Sequence, residues 1–444
     1  MMGNLTYGSP SLPGSKWGWR GSWWALLAYV MFLGVMLGFL CRPDVADMYY
    51  IRFISGPVAA LLYRSNHLVF GATILMAGLV FLDKIKLPSF NFPSAALLLF
   101  LCFRTILAFR RISVGYPMVG ELAALALVTV LVLVFSQKLK GVDGDKAGLV
   151  WISIFMLAEM LGYLMLNGYQ YVVDPGSVEN RGRFHGLNSH SNEFSMSLGL
   201  MSVWLYLALL WGRFGIKILA SVALAAAAYF VYLSGSRSGA LTFVVAALPY
   251  GYWLLRSRPI WLILAGLLAG LLLPIGWYYI EIGAQSVAES RLVSTQNTRG
   301  EVFGLMWANF LNNPLIGNPA TVGGTSNSYL YGASSVGVFG MIFLMTALWL
   351  VVKDTWAVSK IARSRDMDMS VGLLSPWAWS ALGSIMVSSA FSGYFLETMQ
   401  FPLLFTLFHM ALINKVKAGL VMGQKIAGGW RIERPRNGVK LASA

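Results

Sequence analysis

The sequence predicts an all-α membrane protein, a single polytopic bundle of about twelve transmembrane helices that occupies residues 1–444. Hydrophobic residues make up 57% of the chain and charged residues only 11%, whereas a soluble domain carries about a quarter charged residues. Apolar runs of roughly twenty residues, the length that crosses a bilayer, recur along the chain. No linker rich in proline, serine or glycine divides these runs, so we expect one membrane-embedded domain.

The first apolar run follows Lys16 and Arg20. It is too long for the hydrophobic core of a signal peptide, and we expect an uncleaved first helix. Segment 45–63 is apolar but contains Asp47 and Arg52, which predicts a re-entrant or interfacial helix. The predicted spans lie near 22–40, 67–82, 94–109, 117–136, 147–166, 193–211, 217–234, 239–255, 260–280, 329–352, 371–391 and 398–414.

An even number of spans places both termini on one side of the membrane, and basic residues indicate which side that is. With both termini inside, every lysine and most of the basic residues fall in inner loops, as the positive-inside rule expects. The segment 415–444 becomes a basic inner tail that we expect to bind anionic membrane lipid. The two larger polar loops, 167–193 and 281–328, then lie on the outer side.

The basic residues of the outer side are all arginines. Topology alone does not sort arginine from lysine, but a planar guanidinium grips phosphate or carboxylate with paired hydrogen bonds. An anionic ligand such as a diphosphate explains the bias, and headgroup contacts or ion pairs within the membrane are the alternative. The set comprises Arg42, Arg52, Arg64, Arg104, Arg110, Arg111, Arg181, Arg183, Arg237, Arg291 and Arg299.

The loop 167–193 leads into RFHGLNSHSNEF, residues 183–194, which holds two of the four histidines. His190 and Glu193 fall where the sixth span begins. A histidine can take a proton from a substrate hydroxyl, and a nearby carboxylate can orient it. The alternative is a helix start capped by Ser191 or Asn192, with Glu193 in the first turn. With no cysteine partner and no third ligand nearby, the two histidines do not predict a zinc site.

The short turn SGSRSG, residues 234–239, joins two spans on the outer side. Its small residues let a ligand approach backbone N–H groups. We expect Ser238 to cap the following helix, whose N-terminus would face an anion beside Arg237. A tight turn with a topology-neutral arginine is the alternative.

These polar segments together resemble the O-antigen ligase and Wzy-type polysaccharide polymerase superfamily of bacterial envelopes. The resemblance covers roughly residues 150–350 and rests on the order of its motifs. The matching residues are Arg183, Gly186 and Asn192, LSGSRSGALTF at 233–243, Arg299 and Phe303, NNPLIG at 312–317, and Asn327 to Leu330, with Gly337 and Gly340 at the spacing of a ligase pattern. That pattern has a histidine where this chain has Ser326, which favours a polymerase over a ligase.

The resemblance implies a GT-C-like bundle in the bacterial inner membrane, with a periplasmic active site and no metal or other cofactor. The donor would be an oligosaccharide on undecaprenyl diphosphate, and the acceptor a sugar hydroxyl of another lipid-linked repeat unit in lipopolysaccharide or exopolysaccharide synthesis. The predicted catalytic residues are His190, Glu193, Arg237 and Arg299, with His185 and Glu301 as further proton-transfer candidates. The predicted substrate-binding residues are Arg181, Arg183, His185, Asn192, Arg291, Asn327 and Tyr329.

Two other functions stay open at this level. A ligase would transfer finished glycan to lipid A-core or to protein. A transporter or flippase would place ionisable groups at mid-bilayer, whereas the charges of this chain gather near one face. A chain-length regulator is a candidate protein partner, and we expect no nucleic-acid partner.

Overall fold

The computed structural model describes residues 92–109, 146–173, 175, 179–180, 182–188, 190–257, 300–318, 327–363, 372–391 and 401–432, and these residues are mostly helical. In chain order the helices are α1 Phe92–Phe109, α2 Lys146–Val173, α3 Ser191–Trp211, α4 Phe214–Leu233, α5 Arg237–Ser257, α6 Gly300–Asn312, α7 Ser328–Arg363, α8 Leu374–Phe391 and α9 Phe401–Ile432. Strands β1 Glu179–Asn180 and β2 Arg183–Phe184 pair antiparallel before α3, with Asn180 opposite Arg183.

Within the described part of the chain, five helices are long and apolar enough to cross a membrane, namely α2, α3, α4, α5 and α7. This agrees with the predicted all-α membrane protein. The spans expected near 22–40, 67–82, 117–136 and 260–280, and the interfacial segment 45–63, lie outside the described residues. The total of about twelve helices and the GT-C-like arrangement therefore stay predictions.

The helices differ from the predicted spans in three places. Helix α2 continues to Val173, into the segment expected as a loop. Helix α6 lies inside the expected loop 281–328. Helix α9 continues to Ile432, so the expected basic tail begins as helix. Each segment lacks the continuous apolar run by which spans are recognised, but polar residues do not prevent helix formation once neighbouring helices support them.

Helix α3 is the most buried of the candidate spans, and helix α5 packs most extensively against α3 and α8. Helices α3 and α5 run parallel. A Cβ added at Gly239 would collide with Ser195, and one added at Gly199 would press on Thr242, so these glycines let the two helices approach closely. Helix α8 runs antiparallel to α5, and the hydroxyl of Ser380 donates to the carbonyl of Ala246 over 2.5 Å.

An aromatic cluster fills the core between α3, α8 and α9. The rings of Trp204 and Trp377 lie 5.6 Å apart, and Phe408 lies 6.2 Å from Trp204. All three are essentially inaccessible to solvent. His409 lies within the same cluster, with its ring centroid 3.8 Å from that of Phe405. This histidine therefore belongs to the core rather than to the polar segments predicted from the sequence.

Helix α7 is broken at Gly337, whose backbone is non-helical with φ 63° and ψ −168°. There the N–H groups of Val338 and Phe339 donate to the carbonyls of Pro314 and Leu315, over 2.8 and 3.2 Å. A Cβ at Gly337 would collide with the backbone of Leu315, and its positive φ favours glycine. Two motifs of the resemblance, the NNPLIG run and the glycine pair, thus pack against each other.

At the far end of α7 the Nζ of Lys417 approaches Oδ1 of Asp354 to 2.5 Å. The side-chain amide of Asn414 donates to Oδ2 of the same carboxylate over 3.1 Å. These contacts tie α9 to α7 at residues 414 and 417, on either side of residue 415, where the tail was expected to begin. The start of the expected tail is therefore part of the bundle.

Candidate active site

The polar segments meet at one end of the bundle. Because α3 and α5 run parallel and α8 antiparallel to them, the first residues of α3 and α5 lie near the last residues of α8. The side-chain amide of Asn327 donates to the carbonyl of Ala390 over 2.7 Å, which brings the start of α7 to the same end. We refer to this as the polar end. That it faces the periplasm stays a prediction.

Arg183 connects three elements at the polar end. Its Nε donates to the carbonyl of Ser234 over 2.9 Å, and its Nη2 donates to Oδ1 of Asn192 over 3.1 Å. The side chain is buried. Arg183 therefore holds β2 to the SGSRSG turn and to the first turn of α3. Its predicted contact with substrate is not tested by this geometry, which shows a positioning role.

The buried ring of Phe184 anchors the loop to the helices beneath it. The ring of Phe184 is buried and stacks on Phe230 of α4 at 5.0 Å, and it meets Phe194 of α3 edge-on at 5.0 Å and Tyr171 of α2 edge-on at 5.4 Å. Burying such a ring contributes on the order of 1.5–3 kcal/mol. One apolar side chain thus fixes to three helices the loop that carries His185 and His190, which we call the histidine loop.

His185 is buried within a network of polar side chains. Its Nδ1 lies 2.6 Å from the carbonyl oxygen of Asn188. A carbonyl only accepts, so Nδ1 carries the proton and Nε2 of the neutral ring keeps a lone pair. The hydroxyl of Tyr163 donates to Oδ1 of Asn188, and Oδ1 of Asn167 accepts from the N–H of Leu187 over 2.8 Å. These contacts hold the loop on helix α2.

His190 has the opposite tautomer. It is the N-cap of α3, and its Nδ1 accepts a hydrogen bond from the backbone N–H of Asn192 over 3.1 Å. An N–H only donates, so Nδ1 is unprotonated and the proton of the neutral ring is on Nε2. The cap expected at Ser191 or Asn192 is wrong, because His190 is the last residue with extended backbone and its side chain reaches the free N–H.

Glu193 lies in the first turn of α3 and is almost completely buried. A carboxylate in that position is favoured by the partial positive charge of the helix N-terminus. Two residues along, Ser195 contacts the start of α5 at Gly239. The buried carboxylate and the SGSRSG turn are therefore close neighbours in the fold.

The SGSRSG turn presents Arg237 outward. Residues Ser234, Ser236 and Ser238 are buried, whereas Arg237 is exposed. The cap expected at Ser238 is wrong. The carbonyl of Ser236 accepts from Ala240 N–H over 2.9 Å, and its hydroxyl accepts from Gly239 N–H over 3.2 Å, which makes Ser236 the cap. Ser238 instead bonds the Ser236 hydroxyl over 3.1 Å.

Arg237 is the first residue of α5. A guanidinium at a helix N-terminus adds positive charge to the positive end of the helix dipole, an arrangement that favours anions nearby. A guanidinium at the positive end of a helix dipole is the arrangement expected for a residue that binds phosphate.

Asn327 and Tyr329 hold the start of α7. Oδ1 of Asn327 accepts from the N–H of Leu330 over 2.9 Å, which caps the helix, while its amide binds the end of α8. The hydroxyl of Ser389 donates to the hydroxyl of Tyr329 over 2.6 Å. Both residues thus lie at the polar end, where they connect α7 to α8. Their predicted binding of substrate is not tested by these contacts.

The remaining predicted residues divide into two groups. Glu301 lies exposed in the first turn of α6. Arg181, Arg291, Arg299 and Ser326 lie outside the described residues. The structure therefore joins Arg183, His185, His190, Asn192, Glu193 and Arg237 into one cluster, to which α8 connects Asn327 and Tyr329.

The structure also adds site residues that the sequence motifs do not indicate. Tyr163 and Asn167 are buried in the second half of α2, where Tyr163 donates to Asn188 and Asn167 accepts from the backbone N–H of Leu187 in the histidine loop. Their signal is a polar pair four residues apart on a mostly apolar helix, a spacing that places both side chains on one face. Among the described residues, no group of three His, Cys, Asp or Glu side chains is placed to hold a metal.

Comparison with known proteins gives one family match. Residues 220–345 match the family model described as O-antigen ligase. The matched segment includes the SGSRSG turn, α6, the NNPLIG run and the break at Gly337, and the histidine loop precedes it. No curated protein matches the chain. The match supports a multi-pass membrane enzyme of the O-antigen ligase or polymerase type, and over residues 220–345 it confirms the resemblance to the O-antigen ligase superfamily that the motifs indicate.

Proposed function

We propose that this protein is a polysaccharide polymerase that transfers an oligosaccharide from undecaprenyl diphosphate to a sugar hydroxyl of another lipid-linked repeat unit. The observation that carries the proposal is the hydrogen bond from Arg183 to Ser234, which joins the histidine loop to the SGSRSG turn. That turn lies within the segment that matches the O-antigen ligase model. One end of a membrane bundle then holds proton-transfer groups and an exposed guanidinium together.

The reaction requires two kinds of group. The acceptor oxygen attacks the anomeric carbon, the bond from that carbon to the diphosphate oxygen breaks, and undecaprenyl diphosphate leaves with the bonding electrons. The developing negative charge must be stabilised. Arg237, exposed at the start of α5, is placed for this role, and Arg299 is its expected companion. A guanidinium fits the phosphate oxygens with paired hydrogen bonds.

The proton of the acceptor hydroxyl must go to a base. His185 is our choice for that base, because its Nδ1–H bonds to Asn188 and leaves the Nε2 lone pair available. The Nδ1 lone pair of His190 accepts the capping hydrogen bond of α3, so the proton of the neutral ring is on Nε2. In this arrangement His190 orients substrate or the leaving group. The negative carboxylate of Glu193 offsets the positive charge of the loop.

The alternative function is a ligase, and the family description favours it. Ser326, where the ligase pattern has histidine, favours the polymerase. A transporter is the alternative of another class. The expected inner-membrane location, the periplasmic face of the polar end, the chain-length regulator and the independence from metal are parts of the same proposal.

The test is reconstitution of the purified protein in proteoliposomes with undecaprenyl-diphosphate-linked repeat units, with a chelator present. A polymerase forms a ladder of longer lipid-linked glycans and releases undecaprenyl diphosphate. A product that forms only when lipid A-core is added would identify a ligase. Movement of the substrate across the bilayer without any product would identify a transporter. Product loss on adding the chelator would overturn the metal-free mechanism alone.

The sidedness is tested separately. Reporter tags at Pro175 and Gly324 should report the periplasm, and tags at Gly141 and the C-terminus should report the cytoplasm. A cytoplasmic report from Pro175 would place the polar end on the wrong side for this chemistry.

A further inference from the structure

Helix α6 is fixed to α7 through one side. Asn309 is buried, and its side-chain amide lies within hydrogen-bonding distance of the carbonyls of Asn318 and Ser334, at 3.2 and 3.3 Å. Met306, on the same side of α6, is fully buried. The backbone N–H of Asn318 also donates to Ser334 over 2.7 Å. These contacts hold one side of α6 against α7.

The opposite side of α6 is exposed and apolar. Leu305, Trp307 and Leu311 are 68, 52 and 58% exposed. A helix that faces water carries charged and polar residues along its outer face. On α6 the one charged residue is Glu301, exposed in the first turn, and residues 302–318 contain none. Contiguous exposed apolar surface of this kind marks contact with another apolar phase.

This surface continues onto the outer face of a membrane span. Leu315 and Ile316, in the turn after α6, are exposed. The hydrogen bond from Phe339 N–H to the carbonyl of Leu315 places them beside Val338 and Phe339, which are also exposed. Both belong to the candidate span Ser328–Ala362. The exposed apolar faces of α6 and α7 thus adjoin, and the residues between Leu311 and Leu315, which include Asn312 and Asn313, are exposed but uncharged.

The depth of contact agrees with this continuity. Residues 334–339 of α7 lie six to eleven positions beyond Ser328, roughly 9–16 Å along a helix axis at 1.5 Å per residue. The hydrocarbon core is about 30 Å thick. If α7 starts at the membrane interface, the turn after α6 reaches the level of the acyl chains.

We propose that α6 lies inside the membrane, with its exposed face against the lipid acyl chains of the leaflet at the polar end. The sequence pattern instead predicts an outer loop over the whole of 281–328. The occupant of the exposed face is the bilayer, because the face beyond Glu301 is uncharged and adjoins the exposed apolar surface of a membrane span.

The experiment measures the surroundings of single side chains by spin labelling. In the full-length protein with Cys41→Ser and Cys102→Ser, reconstituted in liposomes, a nitroxide is attached at Leu311→Cys, and at Leu305→Cys as a second site. Collision rates with oxygen, which concentrates in lipid, and with a water-soluble nickel chelate are then compared. The references are Ile342→Cys on the exposed face of α7, Arg213→Cys between α3 and α4, and Met306→Cys on the buried side of α6.

We expect the ratio of oxygen to nickel collision rates at residues 311 and 305 to match residue 342 and to exceed that at residue 213 several-fold. Nickel collisions as frequent as at residue 213 would put the face in water and overturn the proposal. Collisions suppressed for both reagents, as at residue 306, would show that a protein segment or a second copy covers the face, which also overturns it. The labelled variants need no enzymatic activity, so the outcome is independent of the proposed function.

Discussion

The Nε of Arg183 donates a hydrogen bond of 2.9 Å to the backbone carbonyl of Ser234, which lies 51 positions further along the chain. Through this contact the histidine loop and the turn that carries Arg237 become one unit. Nothing in the local sequence of either segment requires the pairing, yet the proposed chemistry depends on it, because a base and an anion-binding group act on the same substrate.

Arg183→Lys should reduce glycan transfer nearly as much as Arg183→Ala. A lysine ammonium does not reproduce the two-directional donation to Ser234 and Asn192. Each variant also removes a buried hydrogen bond and should lower the free energy of unfolding by about 1–3 kcal/mol. Thermal unfolding in detergent and transfer in proteoliposomes measure the two effects. Arg256→Lys, at the opposite end of α5, is the matched control. An Arg183→Lys variant with normal transfer would contradict the positioning role of Arg183.

Arg237→Lys and Arg237→Ala should both lose most glycan transfer while membrane insertion stays normal. The charge survives in the lysine variant, but the paired hydrogen bonds to phosphate do not. Arg299→Lys should behave in the same way. Arg213→Lys, an exposed arginine at the other end of the bundle, serves as control and should keep full activity. Full transfer by Arg237→Lys would mean that this group only neutralises charge.

The two histidines should respond differently to substitution. His190→Asn keeps a good N-cap, whereas His190→Ala removes it at a cost of about 1 kcal/mol. If the imidazole Nε2–H acts on substrate, both variants lower turnover, and His190→Asn stays as stable as the natural protein. Full turnover of His190→Asn would leave His190 as a helix cap.

His185→Gln should lower the rate of the chemical step with little change in substrate retention, since a proton acceptor acts only in the transition state. Single-turnover transfer and binding of the lipid-linked repeat unit are the measurements. An unchanged chemical step in His185→Gln would remove His185 as the base and return that role to Glu193 or Glu301.

Gly337→Ala should destabilise the protein. Its backbone is in the left-handed region, and a Cβ would collide with Leu315. The strain alone costs on the order of 1–3 kcal/mol. Gly304→Ala is the matched control, because it lies inside α6 with nothing within 4 Å of the added carbon, and it should be neutral or stabilise by about 0.5–1 kcal/mol. Thermal unfolding of both variants is the measurement, and equal midpoints would contradict the packing role of Gly337.

Truncation after Gly429 should leave glycan transfer intact. It keeps Lys417, whose ammonium pairs with Asp354, and Asn414, which binds the same carboxylate. It removes Arg431, Arg434, Arg436 and Lys440, which we expect to contribute roughly 1 kcal/mol each to binding anionic lipid. The measurements are glycan transfer by the truncated protein and, in the natural protein, protection of the tail from proteolysis by anionic vesicles. Loss of transfer at normal membrane levels would show that the tail has a further role.

The sequence alone determined the membrane class and most helix positions in the described region. Long apolar runs have one stable solution in a bilayer, so α3, α4 and α5 begin and end within a few residues of the predicted spans. It also located the polar segments with Arg183, His190 and Arg237, since polar clusters stand out against an apolar background. It missed α6 as a helix because that segment is short and bordered by polar residues.

Only the tertiary structure decided how these segments meet and which nitrogen of each histidine carries the proton. The link from Arg183 to Ser234, the tie from Asn327 to Ala390 and the packing of Gly337 on Leu315 join residues far apart in the chain, and local pattern contains no information on such pairs. The tautomers of His185 and His190 follow from a carbonyl that only accepts and an N–H that only donates, and those partners exist only once the loop has folded onto α2 and α3.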